Sequence, residues 1–558
     1  MRTNNITLQL AIFLLFFFAF VCLPSVANQQ LIYQRVRQQA LEKKLTVRPP
    51  EVYLLLRNKR SAKIVFPHEI PCFFITKIKL VDREKLPFWL PLQNIANQGA
   101  GKCLGITSIR LLADMLQQQL VTSGYTTSQV VVLPQDLRQG TLSLRLNVGT
   151  VGRLQLTADS HRAITLYNAF PLASGDPLDL ADIEQGLANL RRLPTVTADT
   201  ALVATTIPGV SDVAVHWQQE KMWRLGASLD NSGPASSGRY QAGLSLSLDN
   251  PLLFNDLFYL SAINAVQRGS KQGNSNFTGH YSLPFGYWLA GITVSRYDYH
   301  QHPAARPRDD RYRGNSKNVN FQLSRVLQRN GSQKTWLDFM ALARVSHTYT
   351  DDSAIDSKHR HSSAWRLGLR HQQQLGAATL HAGISYQQAT QWFAAREIDY
   401  NADGQAAALG NIMQMHAEGR VPLRLYGQNL DYTIGYFRQQ ASAAVMSQDQ
   451  FAIGNRWTVR GFDGEQTLNA DSGWWLRNDL AWHTPVANQQ LYLGLDYGKT
   501  GRGSRDWPTA SALAGTVVGL RGKVLATDYD LFVGLPLVKP AGFAASPVIL
   551  GFTLNWQY

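Results

Sequence analysis

From Trp223 to the end of the chain, apolar and polar residues alternate with a period of two. Trp223, Leu225, Ala227 and Leu229 fall on one side, and Arg224, Gly226, Ser228 and Asp230 on the other. The pattern returns at Tyr240–Leu248, Leu337–Val345, Leu380–Tyr386 and Leu491–Tyr497. It closes with Val548, Leu550, Phe552, Leu554, Trp556 and Tyr558 against Gly551, Thr553, Asn555 and Gln557. Period two predicts strands with one apolar face. At roughly 20 residues per strand with its loop, built on strands of ~10 residues, residues 222–558 hold about 16 strands. A soluble sandwich would alternate as well. Aromatics near segment ends, and long polar stretches at His300–Lys317 and Thr350–Ser363, favour a transmembrane barrel.

The front of the chain reads differently. Residues 71–149 predict a strand at Phe73–Leu80, a helix from Ile106 stopped by Gly124, and strands at Gln129–Leu133 and Thr141–Val148. Residues 150–221 repeat the order. A strand at Gly152–Thr157 precedes a helix starting at Asp179 or Asp182 and running through Leu193, then strands at Thr195–Ala204 and Asp212–Gln218. Residues 28–46 predict one helix whose apolar stripe, Ile32, Val36 and Ala40, is thin. Its many Gln, Arg and Lys residues suit a water-filled channel. Pro49-Pro50 ends it, and 47–70 reads as an extended, charged linker. Residues 1–27 read as a secretory signal: Arg2, an apolar core from Leu8 to Leu23, and small residues Ser25-Val26-Ala27 before the cut. An uncleaved anchor helix is the alternative.

Composition narrows the function. No later apolar run approaches the ~20 residues of a membrane helix. The net charge is +15, but the basic residues are spread along an exported chain. That points away from nucleic acid and toward a basic pore lining or periplasmic surface. Once the signal has carried away Cys22, Cys72 and Cys103 remain. An even pair in an exported chain suggests a disulfide, worth about 3–4 kcal/mol; two buried free thiols are the alternative. No His or Cys spacing resembles a zinc site, and neither GxxxxGK[ST] nor GxSxG occurs. No cofactor, metal or catalytic residue is therefore expected. His300, His302, His359 and His361 read as solvated loop residues.

These residues resemble a known family: the outer-membrane transporters of two-partner secretion, the TpsB branch of the Omp85 superfamily. The resemblance spans nearly the whole mature chain. Cys72, Gly101-Lys102-Cys103-Leu104-Gly105, Gly124-Tyr125 and Leu133-Pro134-Gln135-Asp136-Leu137 resemble the first POTRA domain of its haemolysin-transporter and contact-dependent-inhibition clade. Residues 150–221 resemble the second. Leu229-Asp230-Asn231-Ser232-Gly233 resembles the family's entry into the barrel. Val459-Arg460-Gly461-Phe462 is similar to its VRGY motif, with Phe for Tyr, at the tip of a sixth extracellular loop that folds into the barrel. The family places an Asp on a later strand's inner face. Because Leu491, Leu493, Leu495 and Tyr497 form the apolar face, Asp496 points inward by alternation.

The resemblance implies an all-β barrel of about 16 antiparallel strands behind two α+β POTRA domains and a plug helix. It implies a latch between Arg460 and Asp496, with Gly461 turning the tip and Phe462 packing beside it. Tyr558 becomes the terminal aromatic read by the barrel-assembly machinery. The barrel would lie in outer-membrane lipid of a Gram-negative cell, with its POTRA domains in the periplasm. Its partner would be a large exoprotein, bound through an N-terminal secretion domain and exported unfolded. Rival readings are a barrel-assembly insertase, an outer-membrane hydrolase and a passive porin. Two POTRA domains and the 28–46 helix argue against the insertase. The missing elbow argues against the hydrolase, and the long periplasmic segment against the porin.

Overall fold

The computed structural model describes residues 25–45, 64–160, 164–266, 272–301, 312–350, 353–354, 360–394, 410–501 and 510–558. The signal segment through Leu23, linker residues 47–63, and His302 and His359 lie outside them.

Sixteen long strands, from Trp223–Asp230 to Ile549–Gln557, form one closed antiparallel barrel, each paired with its neighbour in sequence and the last with the first. A two-residue strand, Ser353–Ala354, adds a short pairing at one rim. Alternation decides which residues face out. In Gln489–Thr500 every second residue from Leu491 to Lys499 is exposed, while Tyr492, Gly494, Asp496, Gly498 and Thr500 are buried. The described ends of the polar stretches expected as loops are strand. The fifth strand reaches Gln301 and the sixth starts at Tyr312; the seventh reaches Thr350 and the eighth starts at Arg360. His300 and His361 therefore sit on strands, where polarity marks wet faces above the membrane rather than loss of pairing.

Two small α+β domains precede the barrel. In the first, the predicted strand 73–80 is split at Thr76. Phe73–Ile75 pairs with Lys102–Leu104, while Lys77–Val81 runs parallel to Thr141–Asn147, which also pairs with Gln129–Val132. Helix Ile106–Thr122 buries Ile109, Leu112, Leu116 and Leu120 against this sheet. Cys72 and Cys103 are disulfide-bonded, with Cα atoms 5.3 Å apart. The second domain sets helix Leu180–Leu190 on the sheet of Thr150–Leu156, Val210–Gln219 and Val196–Ala204. Of the two candidate starts, Asp179 caps the helix, accepting a bond from Ala181 N at 2.8 Å.

Residues 64–70, read from sequence as linker, belong to the first domain. Ile64 is buried in its core, and the Lys102 ammonium lies 4.4 Å from the Phe66 ring. Glu69 caps helix Ile106–Thr122 from far back in sequence. Its carboxylate accepts from the Ser108 hydroxyl and from the backbone N–H groups of Thr107 (2.8 Å) and Ser108 (2.7 Å). Such a distant cap leaves no local signal.

The second domain docks on the barrel through polar groups. Asn189 Nδ2 donates to Gly286 O at 2.7 Å, and Arg329 Nε to Glu184 Oε2 at 3.1 Å, both side chains of that pair being nearly fully buried. Arg192 Nη2 donates to Asn255 O at 2.8 Å. This fixes which barrel end carries the domains.

The Ser108 hydroxyl, with the two backbone donors, lowers the Glu69 carboxyl pKa to about 2. A depressed carboxylate contributes stability present above its unfolded pKa of ~4.3 and lost as pH falls through its folded value. Protection of residues 64–70 from proteolysis is expected to decline between about pH 4 and 2. Glu69→Gln is expected to raise cleavage there at neutral pH and to flatten that acid dependence.

Candidate functional site

Among the described residues, the barrel interior holds two segments: helix Ser25–Leu45 and the connection 442–472 between the eleventh and twelfth strands. The helix starts at Ser25, inside the stretch read as the cleavage site, and ends at Leu45. Its burial is polar. Gln30, Gln34, Arg37 and Gln38 are buried along with Ile32. Gln30 Nε2 donates to Gln301 Oε1 at 3.1 Å, and its Oε1 accepts from Ser237 Oγ (3.0 Å) and Tyr297 OH (3.1 Å). Arg37 donates to Gln241 Oε1 at 2.6 Å and pairs with Asp230 at 3.3 Å. Gln38 Oε1 accepts from Thr278 at 3.0 Å and Asn276 at 3.2 Å. At the domain end, Leu41 and Leu45 join the cluster of Phe170, Leu257 and Tyr259. A helix with so narrow an apolar stripe is stable here because the inner wall supplies hydrogen-bond partners.

The connection 442–472 folds back into the lumen around a small hairpin, Phe451–Ile453 with Leu468–Ala470. Its tip is Val459–Phe462. Arg460 Nε donates to Asp496 Oδ2 at 2.6 Å and Nη2 to Asp496 Oδ1 at 2.8 Å; the Arg460 backbone N–H adds a third bond to Oδ2 at 3.0 Å. The side chains are 6 % and 1 % exposed. Arginine's planar fork makes this two-pronged grip, which lysine cannot. Phe462 packs edge-on to Phe543 at 5.7 Å, among Ile453, Val459, Leu468 and Leu513.

Arg460 and Asp496 thus meet, and Asp496 lies on the buried face of its strand. Three further features were missed. Asp479, on the inner face of the next strand, lies 2.7 Å from Arg460 Nη1, and Arg477 lies 4.0 Å from Asp496. The latch is therefore two arginines and two aspartates. The tip also needs a bare seat. Gly461 has φ +98°, and a Cβ there would strike the Leu535 carbonyl; a Cβ on Gly515 would strike the Arg460 carbonyl, and one on Gly494 its guanidinium. Inward-facing glycines on consecutive strands were visible in the sequence and were not read as room for a loop.

The third concerns the barrel's closure. The last strand meets the first over five residue pairs, Thr553↔Asp230 to Gln557↔Gly226, against thirteen between the fourth and fifth strands. Where this ladder ends, side chains take over. Asn231 Nδ2 donates to Leu550 O at 2.7 Å, and its Oδ1 accepts from Phe552 N at 2.9 Å. Arg456, four residues before the latch arginine, donates to Asn231 Oδ1 (2.7 Å), Phe552 O (3.2 Å) and Thr553 Oγ1 (3.2 Å). The adjacent Trp457 ring lies 5.5 Å from Tyr33 of the helix. Arg35 donates to Gln450 O at 2.6 Å. Seam, inner loop and helix are one connected set of contacts. Tyr558 lies at the other end of the seam; its N–H donates to Leu225 O at 2.9 Å, and Lys221 sits 4.0 Å over its exposed ring.

Removing one partner of a buried ion pair costs about 3–5 kcal/mol. Arg460→Ala and Asp496→Ala are each expected to free the connection 442–472, read as new protease sensitivity there with the barrel still resistant to unfolding in detergent. The double variant is expected to be little worse than either single one. Asp479→Ala is expected to do less, because that carboxylate is more exposed, 16 % against 1 %.

Comparison with known proteins agrees with this geometry. The model of the haemolysin secretion/activation protein ShlB/FhaC/HecB family matches residues 209–522, the ShlB-type POTRA domain 73–149 and a further POTRA domain 150–204. The outer membrane transporter CdiB-2 of Burkholderia pseudomallei is 31 % identical over 95 % of this chain and 93 % of its own. The hemolysin transporter protein HpmB of Proteus mirabilis is 24 % identical over 84 % and 81 %. The structure of CdiB from Acinetobacter baumannii superposes with a TM-score of 0.83 at 27 % identity, over 96 % of this chain and all of that one. The chain belongs to the ShlB/FhaC/HecB family of outer-membrane transporters, with its barrel in the outer membrane and its two POTRA domains in the periplasm.

Proposed function

We propose that this chain exports a large exoprotein, unfolded, from the periplasm to the cell surface through the lumen that helix Ser25–Leu45 fills at rest. The carrying observation is how that helix is held. Along the lumen its partners are amides, hydroxyls and a carboxylate, groups that water or a passing chain can replace, and apolar packing is confined to Leu41 and Leu45 at the domain end. The inner loop stays behind, anchored by the Arg460–Asp496 latch, and narrows the path. The names of the relatives, CdiB and hemolysin transporter, favour a contact-dependent-inhibition toxin or a haemolysin as cargo. Removing residues 28–46 is expected to raise ion conductance in planar bilayers while the barrel still inserts. Unchanged conductance would refute the resting plug.

Cargo recognition belongs to the periplasmic domains, and one edge suits strand addition. In POTRA 1, Gln117 pairs with Ser128 O and Val130 N, and Gln93 donates to Ile78 O; both sheet edges are partly occupied from within. In POTRA 2, among the described residues, strand Val196–Ala204 pairs only with Val210–Gln219. Ala198 O turns outward to Arg191, so by alternation Leu202 turns its N–H outward too, beside exposed Val203. The exoprotein's secretion domain docks on residues 200–204. Leu202→Pro removes that outward donor without breaking the inner ladder. Secretion of the partner is expected to fall at least tenfold at unchanged barrel abundance; normal secretion would place recognition elsewhere. Lipid surrounds the barrel, and Tyr558 is the signal through which the assembly machinery inserts it.

A further inference from the structure

The two arginines of helix Ser25–Leu45 are held differently. Arg37 lies 3.3 Å from Asp230 and also donates to Gln241. Arg35 meets a carboxylate that is already shared. Its Nη1 lies 3.9 Å from Asp449 Oδ1, while Arg344 Nη1, from the seventh strand, lies 3.5 Å from the same oxygen. A third guanidinium, Arg366, stands on the eighth strand. Its Nε donates to Gln387 Oε1 at 3.1 Å, and it has no ion pair of its own among the described residues. It is near enough that its charge, like that of Arg344, acts on Arg35. Among the described residues, three cations thus face one carboxylate.

Asp449 ends the short turn Ser447–Asp449 of the inner loop, which is braced on the wall. Gln448 Nε2 donates to Ser362 Oγ at 3.2 Å, and Gln439 Nε2 to Asp449 O at 2.8 Å. Arg344 is steadied by Asn318, whose Oδ1 accepts from its Nε at 2.9 Å. Arg35 has one further bond, from Nη2 to Gln450 O at 2.6 Å, and its Nε is buried without a partner. The side chains of Arg35, Arg344 and Asp449 are each 19 % exposed, so little water screens either attraction or repulsion. When the helix leaves, Arg35 passes into water and Asp449 keeps Arg344. The departure removes one of two uncompensated positive charges.

We propose that Asp449 positions the resting helix through Arg35, and that Arg366 limits this hold by repelling the same guanidinium. The helix is thereby kept in the lumen yet remains able to leave it. This inference rests on the resting-plug reading and assigns it a set point: one carboxylate retains, one wall cation opposes.

The test is planar-bilayer recording of the full-length protein, reading the fraction of time the channel is open. The protein lacking residues 28–46 serves as the open reference. Asp449→Asn is expected to raise the open fraction about tenfold, because Arg35 loses its carboxylate. Arg366→Gln is expected to lower it about threefold, because a repelling charge is gone while an amide can still meet Gln387. Asp449→Asn/Arg366→Gln is expected to open less than Asp449→Asn alone, which keeps the Arg366 effect measurable where wild-type openings are rare. Arg438→Gln, outward-facing on the eleventh strand, is expected to behave as wild type. A role in wall structure alone would loosen the channel in both single variants; the proposal requires opposite signs. Asp449→Asn without added openings, Arg366→Gln opening as much as its parent or more, an equal shift in Arg438→Gln, or effects that persist once 28–46 are removed would each overturn it. Conductance unaltered by removing the helix would instead refute the resting plug itself.

Discussion

Lipid offers no hydrogen bonds to a peptide backbone, and each unpaired N–H or C=O in hydrocarbon costs several kcal/mol. A sheet that crosses a membrane must therefore close on itself, and the rest of this molecule follows from that closure. It separates an outward apolar face from an inward polar one. It also forces first and last strands together. That joint is short, five pairs ending at Asp230 and Thr553. Asn231 continues it by imitating a strand, bonding the carbonyl of Leu550 and the N–H of Phe552, and Arg456 clamps both. Part of the wall's continuity is thus entrusted to a loop that enters from inside.

The chain has two kinds of interior. The POTRA domains are built on Leu, Ile and Val with few polar groups, and buried area holds them together. The lumen has polar walls and polar contents, and specific hydrogen bonds position what lies inside. In the latch, Arg460 and Arg477 face Asp479 and Asp496, so the buried charges cancel. Small residues matter as much. Where the tip crosses the wall, Gly461, Gly494 and Gly515 let backbone approach backbone, a closeness that any side chain would prevent.

Local and periodic features were legible in the sequence. Alternation pointed to the barrel and the inward aim of Asp496, and the length of residues 222–558 to the strand number. Apolar spacing gave the long helix of each small domain, but left Asp179 and Asp182 both open as the start of the second. The motif around Arg460 was recognisable by resemblance. What escaped reading joins distant segments. Glu69 caps a helix that begins 37 residues later, Asp479 joins the latch across two strands, and Arg456 reaches a seam built from both ends of the barrel. None leaves a trace at a fixed spacing. Polarity misled once: at His300 and at His361 it was read as loop, whereas the strands continue beyond the apolar belt with both faces wet.

The strict alternation of Gln489–Thr500 also bears on how such a sequence can change over time. Substituting one outward residue for another apolar one leaves every inward partner in place. Inserting or deleting a single residue between Leu491 and Asp496 shifts the remainder of the strand by one position, so Asp496 would meet lipid and a leucine the loop tip. Variation in length should therefore be confined to the connections between strands, and descendants of this chain can differ widely in sequence within the wall while keeping its residue count.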